Sequence, residues 1–514
     1  MLAAVTALFA QGSDGRIGLA VIPALYAGPR PWRLLGTTLL TAGGSAAVAC
    51  VLGVPVGYAI ARGAPWGRRL LPYAIAPAFL APPYVMAMAW ITVLGRSGLA
   101  RDASRFVFSY EAPVPPVFGR IGVIWVQGAA LYPIVALLLT AALRRLDRRP
   151  YEAAVLACGR LRATLRVAVP MLWPAVLSGM LVSALLAMQS YAVASLLQVN
   201  TYAVEVYARF SAFHDIPGAV ALSLPLAALG LAAALGASGA SRRSTAWLSG
   251  ASKPFPAPLS PWTVRLAWTC VAWGVVGITV LLPLAVVFAG SLPPATYATT
   301  WATAREEWAL GAGLAVLAAS IATPVAFACV VLRRGSRGWR LASEASGAAF
   351  LLSGPVVGIG LIYLLNRPNP IADIVYNSAA VLVWACAAQL IWLALHALAP
   401  VHDEVATSLD EAAAVAGVPW ARRMLRITTP VCAPAVALVW CGAFALAFRE
   451  VDASVLVAPP GITPASVRLY TLMHYGPDRM VSALAVLLTL TVLAVAAVAA
   501  LVAAGLRRRV HAGG

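Results

Sequence analysis

Charge is scarce in this chain, and one form of it is nearly missing. Only 11% of the 514 residues are Asp, Glu, Lys or Arg, against about 25% in soluble globular domains. A single lysine, Lys253, stands among 37 basic residues, and 61% of the chain is hydrophobic. The shortage of charge excludes an ordinary soluble enzyme, and the excess of apolar residues excludes disorder. The net charge of +19 does not point to a nucleic-acid partner, because the arginines are dispersed between long apolar runs rather than gathered in one stretch.

Motifs of chemistry are missing too. The seven cysteines, Cys50, Cys158, Cys270, Cys329, Cys386, Cys432 and Cys441, form no close pair, so they read as small core residues rather than disulfides or a metal site. The histidines His214, His396, His402, His474 and His511 have no ligand spacing, and no HExxH is present. A phosphate-binding loop needs Gly-Lys followed by Ser or Thr, whereas Lys253 lies between Ser252 and Pro254. No paired carboxylate or nucleophile–base set stands out. The expectation is a protein without catalytic residues, metal or cofactor, and without an ATP site of its own. The N-terminus has no basic start followed by an apolar core and cleavage site, so no removable signal peptide is expected.

Long apolar runs are what the chain does have. A membrane-crossing helix takes about 20 mostly apolar residues, since its backbone must satisfy itself. Eleven runs qualify, at roughly 35–61, 70–94, 121–143, 174–199, 217–240, 264–290, 309–332, 341–365, 376–398, 431–458 and 480–506. Residues 1–27 are ambiguous, two apolar stretches around the polar QGSDGR, so the count is eleven or twelve. The fold class is therefore an all-α, polytopic integral membrane protein in a lipid bilayer. Arg62, Arg68 and Arg69, Arg144 to Arg166, Arg242 to Lys253 with Arg265, Arg333 to Arg340, Arg422 to Arg426 and Arg507 to Arg509 hold 24 of the 37 basic residues. The positive-inside rule puts these loops, and with them the C-terminus, in the cytoplasm. The loops on the other side are short, too short for a solute-capturing domain.

Two of the basic loops are alike. From Arg148 the first reads RRPYEAAVLACGRLRATLRVAVPMLWPAV, and from Asp410 the second reads DEAAAVAGVPWARRMLRITTPVCAPAV. Glu152, Ala153 and Ala154 match Glu411, Ala412 and Ala413; Leu165 and Arg166 match Leu425 and Arg426; Pro170 and Pro174 match Pro430 and Pro434. An offset of about half the chain means two tandem halves. The boundaries that follow are 1–240, with its loop at 144–173; a linker at 241–263; and 264–514, with its loop at 399–430. Val405 to Ala416 suits a helix, with Ala406, Leu409, Ala413 and Ala416 on one face, and Gly417 with Pro419 stops it. Pro150 and Gly159 bound the first loop's helix in the same way. Such a helix fits either docking to another protein or lying on lipid headgroups, and its duplication favours docking.

The EAA–Gly–Pro pattern resembles the permease subunits of binding-protein-dependent ABC importers. Tandem copies in one chain resemble the fused permeases of the ferric-iron importer type, with two type I permease domains. The segments from Ser190 to Phe213 and from Arg449 to Gly476 are similar to that family's outer loops. The resemblance implies that Glu152, Ala153, Ala154 and Gly159, and Glu411, Ala412, Ala413 and Gly417, dock two copies of a cytoplasmic ATPase subunit. It also implies an extracytoplasmic solute-binding protein, a bacterial inner-membrane location, and ATP-driven uptake. Ferric iron is the cargo it suggests; similar permeases carry thiamine, phosphonates or polyamines. One departure stands out. Gly417 lies six residues after Glu411, but Gly159 lies seven after Glu152, and Pro170 comes one residue early. The first loop's docking geometry is thus less secure.

Polar residues near the outer ends of two spans, Gln189, Ser190 and Tyr191 and then Arg449, Glu450 and Asp452, are candidates for the solute path. The competing reading has Arg449 and Glu450 merely neutralising one another at the interface. Glu205, Arg209 and Asp215 read as solvated loop charges more readily than as contacts for a binding protein. A secondary transporter of two repeated halves is the alternative function, but it calls for mid-span acids or histidines, and there are almost none.

Overall fold

The computed structural model describes all residues except 1–17, 96–97, 109–114, 146–147, 249–261, 333–337, 340–352, 367–368, 404–406 and 513–514. Among the described residues there are helices and no strands. Among the described residues, eight helices are long and apolar enough to cross a membrane: Pro29–Arg62, Arg120–Arg144, Arg149–Gln189, Trp262–Gly290, Ala295–Leu332, Ala380–Val401, Trp420–Phe448 and Asp478–Leu506. The chain is a polytopic all-α membrane protein.

Three expected spans take another form. The run at 70–94 is not one straight helix. It is a pair bent by 95°, Leu71–Leu80 and a second stretch that opens with the helix Pro83–Leu94. Pro82 and Pro83 supply no backbone N–H, and proline pushes the residue before it out of the helical region, so Ala81 is extended at φ −64°, ψ 147°. The run at 217–240 lies in a helix, Ile216–Leu248, of which Ile216–Ala232 is a shorter apolar stretch. For the run at 341–365, residues 341–352 lie outside the described residues, and Gly354–Leu365 is a helix of 12 residues. The ambiguous N-terminal segment lies mostly outside them as well, as does most of the linker at 241–263.

By its contacts the chain forms two compact units. The N-terminal unit comprises Pro23–Glu205 and Leu222–Gly290; the C-terminal unit is built mainly from Ser291–Gly514, with Val206–Ala221. Trp262–Gly290, which opens the second half of the sequence, thus packs in the N-terminal unit. There the Ala64 N–H donates to Thr269 Oγ1 at 2.9 Å, and Tyr58 meets Trp268 at 5.3 Å between ring centres.

The N-terminal unit is organised on α1 (Pro29–Arg62) and α2 (Arg120–Arg145). Without a hydrophobic drive between helices in lipid, small residues that let backbones approach set such interfaces. Gly53 and Gly57 of α1 do this. A Cβ at Gly53 would lie 2.8 Å from Tyr132 O, and one at Gly57 2.6 Å from Ala136 O. The contact frees Thr140 Oγ1 to donate to Gly57 O at 3.1 Å, and Ser45 Oγ lies 3.3 Å from Gln127 Oε1. Gly57→Leu is expected to force α1 and α2 apart at a cost of about 1–3 kcal/mol. The thermal midpoint of the detergent-solubilised chain measures it, and an unchanged midpoint would show that this contact is dispensable.

In the C-terminal unit, α3 (Ala295–Leu332), α4 (Ala380–Val401), α5 (Thr429–Phe448) and α6 (Asp478–Ala512) pack together. Ala326, Cys329 and Val330 of α3 are buried against Ala394, Leu395 and Leu398 of α4. Trp440, Phe444 and Phe448 stack along α5, and Phe448 also meets Trp308 edge-on.

Candidate functional site

Two pairs of features repeat between the units: the EAA loops and the helix breaks near the polar candidates.

The first EAA loop begins as a helix at Arg148 and is interrupted at Gly159, with φ 78° and ψ 165°. The second contains the helix Thr407–Val415 and turns at Gly417, with φ 79°. A side chain disfavours positive φ, so glycine is the residue for both turns. In the second loop the Val418 N–H donates to Ala413 O and the Gly417 N–H to Ala414 O, both at 3.0 Å. This crossed pair is the Schellman arrangement, which satisfies the last helical carbonyls. The extra residue between Glu152 and Gly159 is absorbed by a longer helix, in which the Cys158 thiol donates to Ala154 O at 3.1 Å. The glycine of the first loop therefore has the same left-handed φ despite its shifted spacing.

Ala153 and Gly159 are exposed, while Glu152 and Ala154 are half-buried. Glu411, Ala412 and Gly417 are exposed, and Ala413 is half-buried. Ala406 lies outside the described residues. The most exposed apolar side chains of the two loops are ones that sequence reasoning missed: Leu156 at 90% and Val415 at 92%. Each stands four residues after the glutamate of its EAA, so the two loops present an apolar knob at the same place. Past the glycines both loops continue through a five-residue π-helix, Thr164–Ala168 in the first and Met424–Thr428 in the second. Leu165 and Leu425, and Arg166 and Arg426, are exposed there.

The polar candidates lie at matching breaks. In the N-terminal unit the helix Val169–Gln189 ends at Gln189, and a five-residue helix, Ala192–Leu196, follows. In the C-terminal unit α5 ends at Phe448, and the four-residue helix Ser454–Val457 follows. Each short helix packs on a 12-residue helix that starts at a proline step, Pro83–Leu94 in one unit and Gly354–Leu365 in the other. Trp90 and Val93 meet Val193 and Leu197 in the first; Ile362 meets Val457 in the second. Gly354 allows that approach, since a Cβ there would come within 2.7 Å of Asp452 Cβ.

Gln189 and Tyr191 are buried and Ser190 is half-buried; the Gln189 side-chain amide N–H has no hydrogen-bond acceptor. Arg449, Glu450 and Asp452 are half-buried. The Glu450 carboxylate accepts hydrogen bonds from the Ala453 N–H at 2.8 Å, the Ser454 N–H at 3.1 Å and Ser454 Oγ at 2.7 Å. Its own carbonyl accepts from Ser466 Oγ at 2.8 Å. Glu450 thus ties the short helix to the break and to the segment after it. Beside it lies a cavity of about 10 Å³, room for one water centre, lined by Glu450, Ser454, Ser466 and Cys386 among others.

The charges at 205–215 are not free in solvent. Glu205 is 7% exposed and pairs with Arg30 at 2.9 Å. Arg209 pairs with Asp215 at 3.0 Å, and Asp215 Oδ1 accepts the Gly218 N–H at 2.8 Å, capping a helix start. The partners are distant in sequence or held by a turn, so hydropathy gave no signal of them.

No protein-family model matches the chain. Over 204 residues it is 26% identical to proteins of Salmonella paratyphi A and Salmonella typhimurium named as a 2-aminoethylphosphonate transport system permease protein, PhnU. The match covers 39% of this chain and 71% of each relative. Together with the membrane-crossing helices, these relatives make the chain a permease-like transport subunit rather than an enzyme.

Proposed function

We propose that the chain is the permease of an ATP-driven, binding-protein-dependent importer, with two permease halves, 1–240 and 264–514, in one polypeptide. The observation that carries this is the duplicated loop: a short helix, an exposed apolar knob four residues after the EAA glutamate, and a left-handed glycine, once in each half. The relatives, matched over 204 residues that are 39% of this chain and 71% of theirs, support a permease; the tandem arrangement rests on the repeated loops.

Each loop helix seats in a separate ATPase subunit on the cytoplasmic side, where the C-terminus also lies. Glu152, Ala153, Ala154 and Gly159 serve one seat, and Glu411, Ala412, Ala413 and Gly417 the other. Closure of the ATPase pair on ATP moves the loop helices and, through them, the helices that follow. An extracytoplasmic binding protein delivers solute to the translocation path. Gln189, Ser190, Tyr191, Arg449 and Asp452 border that path at the two breaks, and Glu450 holds one break in shape. The relatives favour a small phosphonate as cargo; ferric iron rests on the resemblance of the loops.

Membrane vesicles carrying the chain, its ATPase and its binding protein test this. Labelled 2-aminoethylphosphonate, and ferric iron in a parallel arm, are supplied outside. Uptake is expected to need internal ATP and to ignore an imposed proton or sodium gradient. Uptake that runs on the gradient without ATP would make the chain a secondary transporter instead.

A further inference from the structure

The residue immediately before each EAA glutamate reaches across its loop to the segment that leads into the next membrane helix. In the C-terminal unit, Asp410 Oδ1 lies 3.0 Å from Arg423 Nε, with the two side chains 26% and 17% exposed. Arg423 is the last residue before the π-helix Met424–Thr428. In the N-terminal unit, the Tyr151 hydroxyl lies 3.1 Å from Thr164 Oγ1, and Tyr151 is 7% exposed. Thr164 is the first residue of the π-helix Thr164–Ala168. The two links differ in chemistry, one ionic and one neutral, yet join the same two places.

Geometry gives the links a purpose. Each loop helix is connected to the membrane helix through a left-handed glycine, and glycine is the residue least able to hold a fixed angle. A force on the loop helix would be spent in bending that joint. A second connection, from the helix start to the far side of the turn, closes a triangle, so the loop helix and the π-helix move together. We infer that Asp410–Arg423 and Tyr151–Thr164 are equivalent braces that position the two loop helices relative to the membrane helices they drive. This makes the four residues positioning residues. The inference deepens the docking reading and rests on it for its purpose, but not for its test.

Hydrogen exchange of the full chain in lipid nanodiscs, read over 407–418 and 148–159, tests the braces. Half-buried ion pairs and single hydrogen bonds are weak, so Arg423→Gln is expected to speed exchange over 407–418 about three- to tenfold, and Tyr151→Phe to do the same over 148–159. Each effect stays within its own loop. Asp410→Arg alone speeds exchange further, because a positive charge in the first turn opposes the helix dipole. Combined with Arg423→Asp it returns exchange towards the native rate, which a purely local helix effect cannot do. The Tyr151 hydrogen bond is insensitive to salt, whereas 0.5 M sodium chloride mimics Arg423→Gln in part. Unchanged exchange in the single variants, or no recovery in the reversed pair, overturns the inference. Affinity for the ATPase subunit, measured on the same samples, separates the two levels. If the braces respond as expected but the native chain never binds an ATPase, the docking reading fails and the braces stand.

Discussion

Val415→Asp is expected to weaken binding of the proposed ATPase subunit by about ten- to a hundredfold. The basis is the matched exposure of Leu156 and Val415, at 90% and 92%. Burying one such aliphatic side chain at an interface is worth about 1.5–3 kcal/mol, and a carboxylate in its place loses that gain and adds an unpaired charge to the contact. Because both side chains are solvated, the substitution leaves the chain's own packing intact, and its thermal midpoint should not move. Leu156→Asp acts equally on the other seat. Deleting 411–417 goes further: it removes the helix and its glycine stop, releases the ATPase copy seated there and is expected to end ATP-driven uptake. Binding of purified ATPase to nanodisc-held variants, measured by surface plasmon resonance, gives the affinities. Native affinity in both aspartate variants would mean that the knobs face lipid.

Glu450→Ala is expected to destabilise the chain itself, by about 1–3 kcal/mol, because removing this half-buried acceptor leaves neutral donors unsatisfied. Three donors, the N–H groups of Ala453 and Ser454 and the Ser454 hydroxyl, lose their acceptor at once. Glu450→Gln keeps one acceptor oxygen and is expected to recover part of the loss. A fall of several degrees in thermal midpoint for alanine, and a smaller one for glutamine, is the expected order. Equal and small effects would free Glu450 for direct contact with solute. In the N-terminal unit the break is held without a carboxylate at the matching position, Ser190, so Ser190→Ala should be mild.

What was legible in the sequence is what depends on composition over many residues. The long helices follow from apolar runs, because a span is defined by length and average hydropathy alone. The loop helices and their glycine stops follow from local rules, and the repeat made them stand out. The broken run at 70–94 was missed because hydropathy continues straight through Pro82 and Pro83, although the double proline was a usable signal. The role of Glu450, the burial of Glu205 and the Asp410–Arg423 link were not legible. Each depends on a partner placed by tertiary structure. The Glu450 oxygens turn to the helix start four residues on, a contact that the adjacent Arg449 did not signal. Leu156 and Val415 went unnoticed because exposure on a short helix does not follow from its apolar period.

Native mass spectrometry of the chain purified with its ATPase tests the central claim most directly. Two equivalent loop helices in one polypeptide predict one chain bound to two ATPase copies, falling to one copy in either Leu156→Asp or Val415→Asp and to none in the double variant. A native complex with a single copy, or two copies that persist in the double variant, would contradict the account.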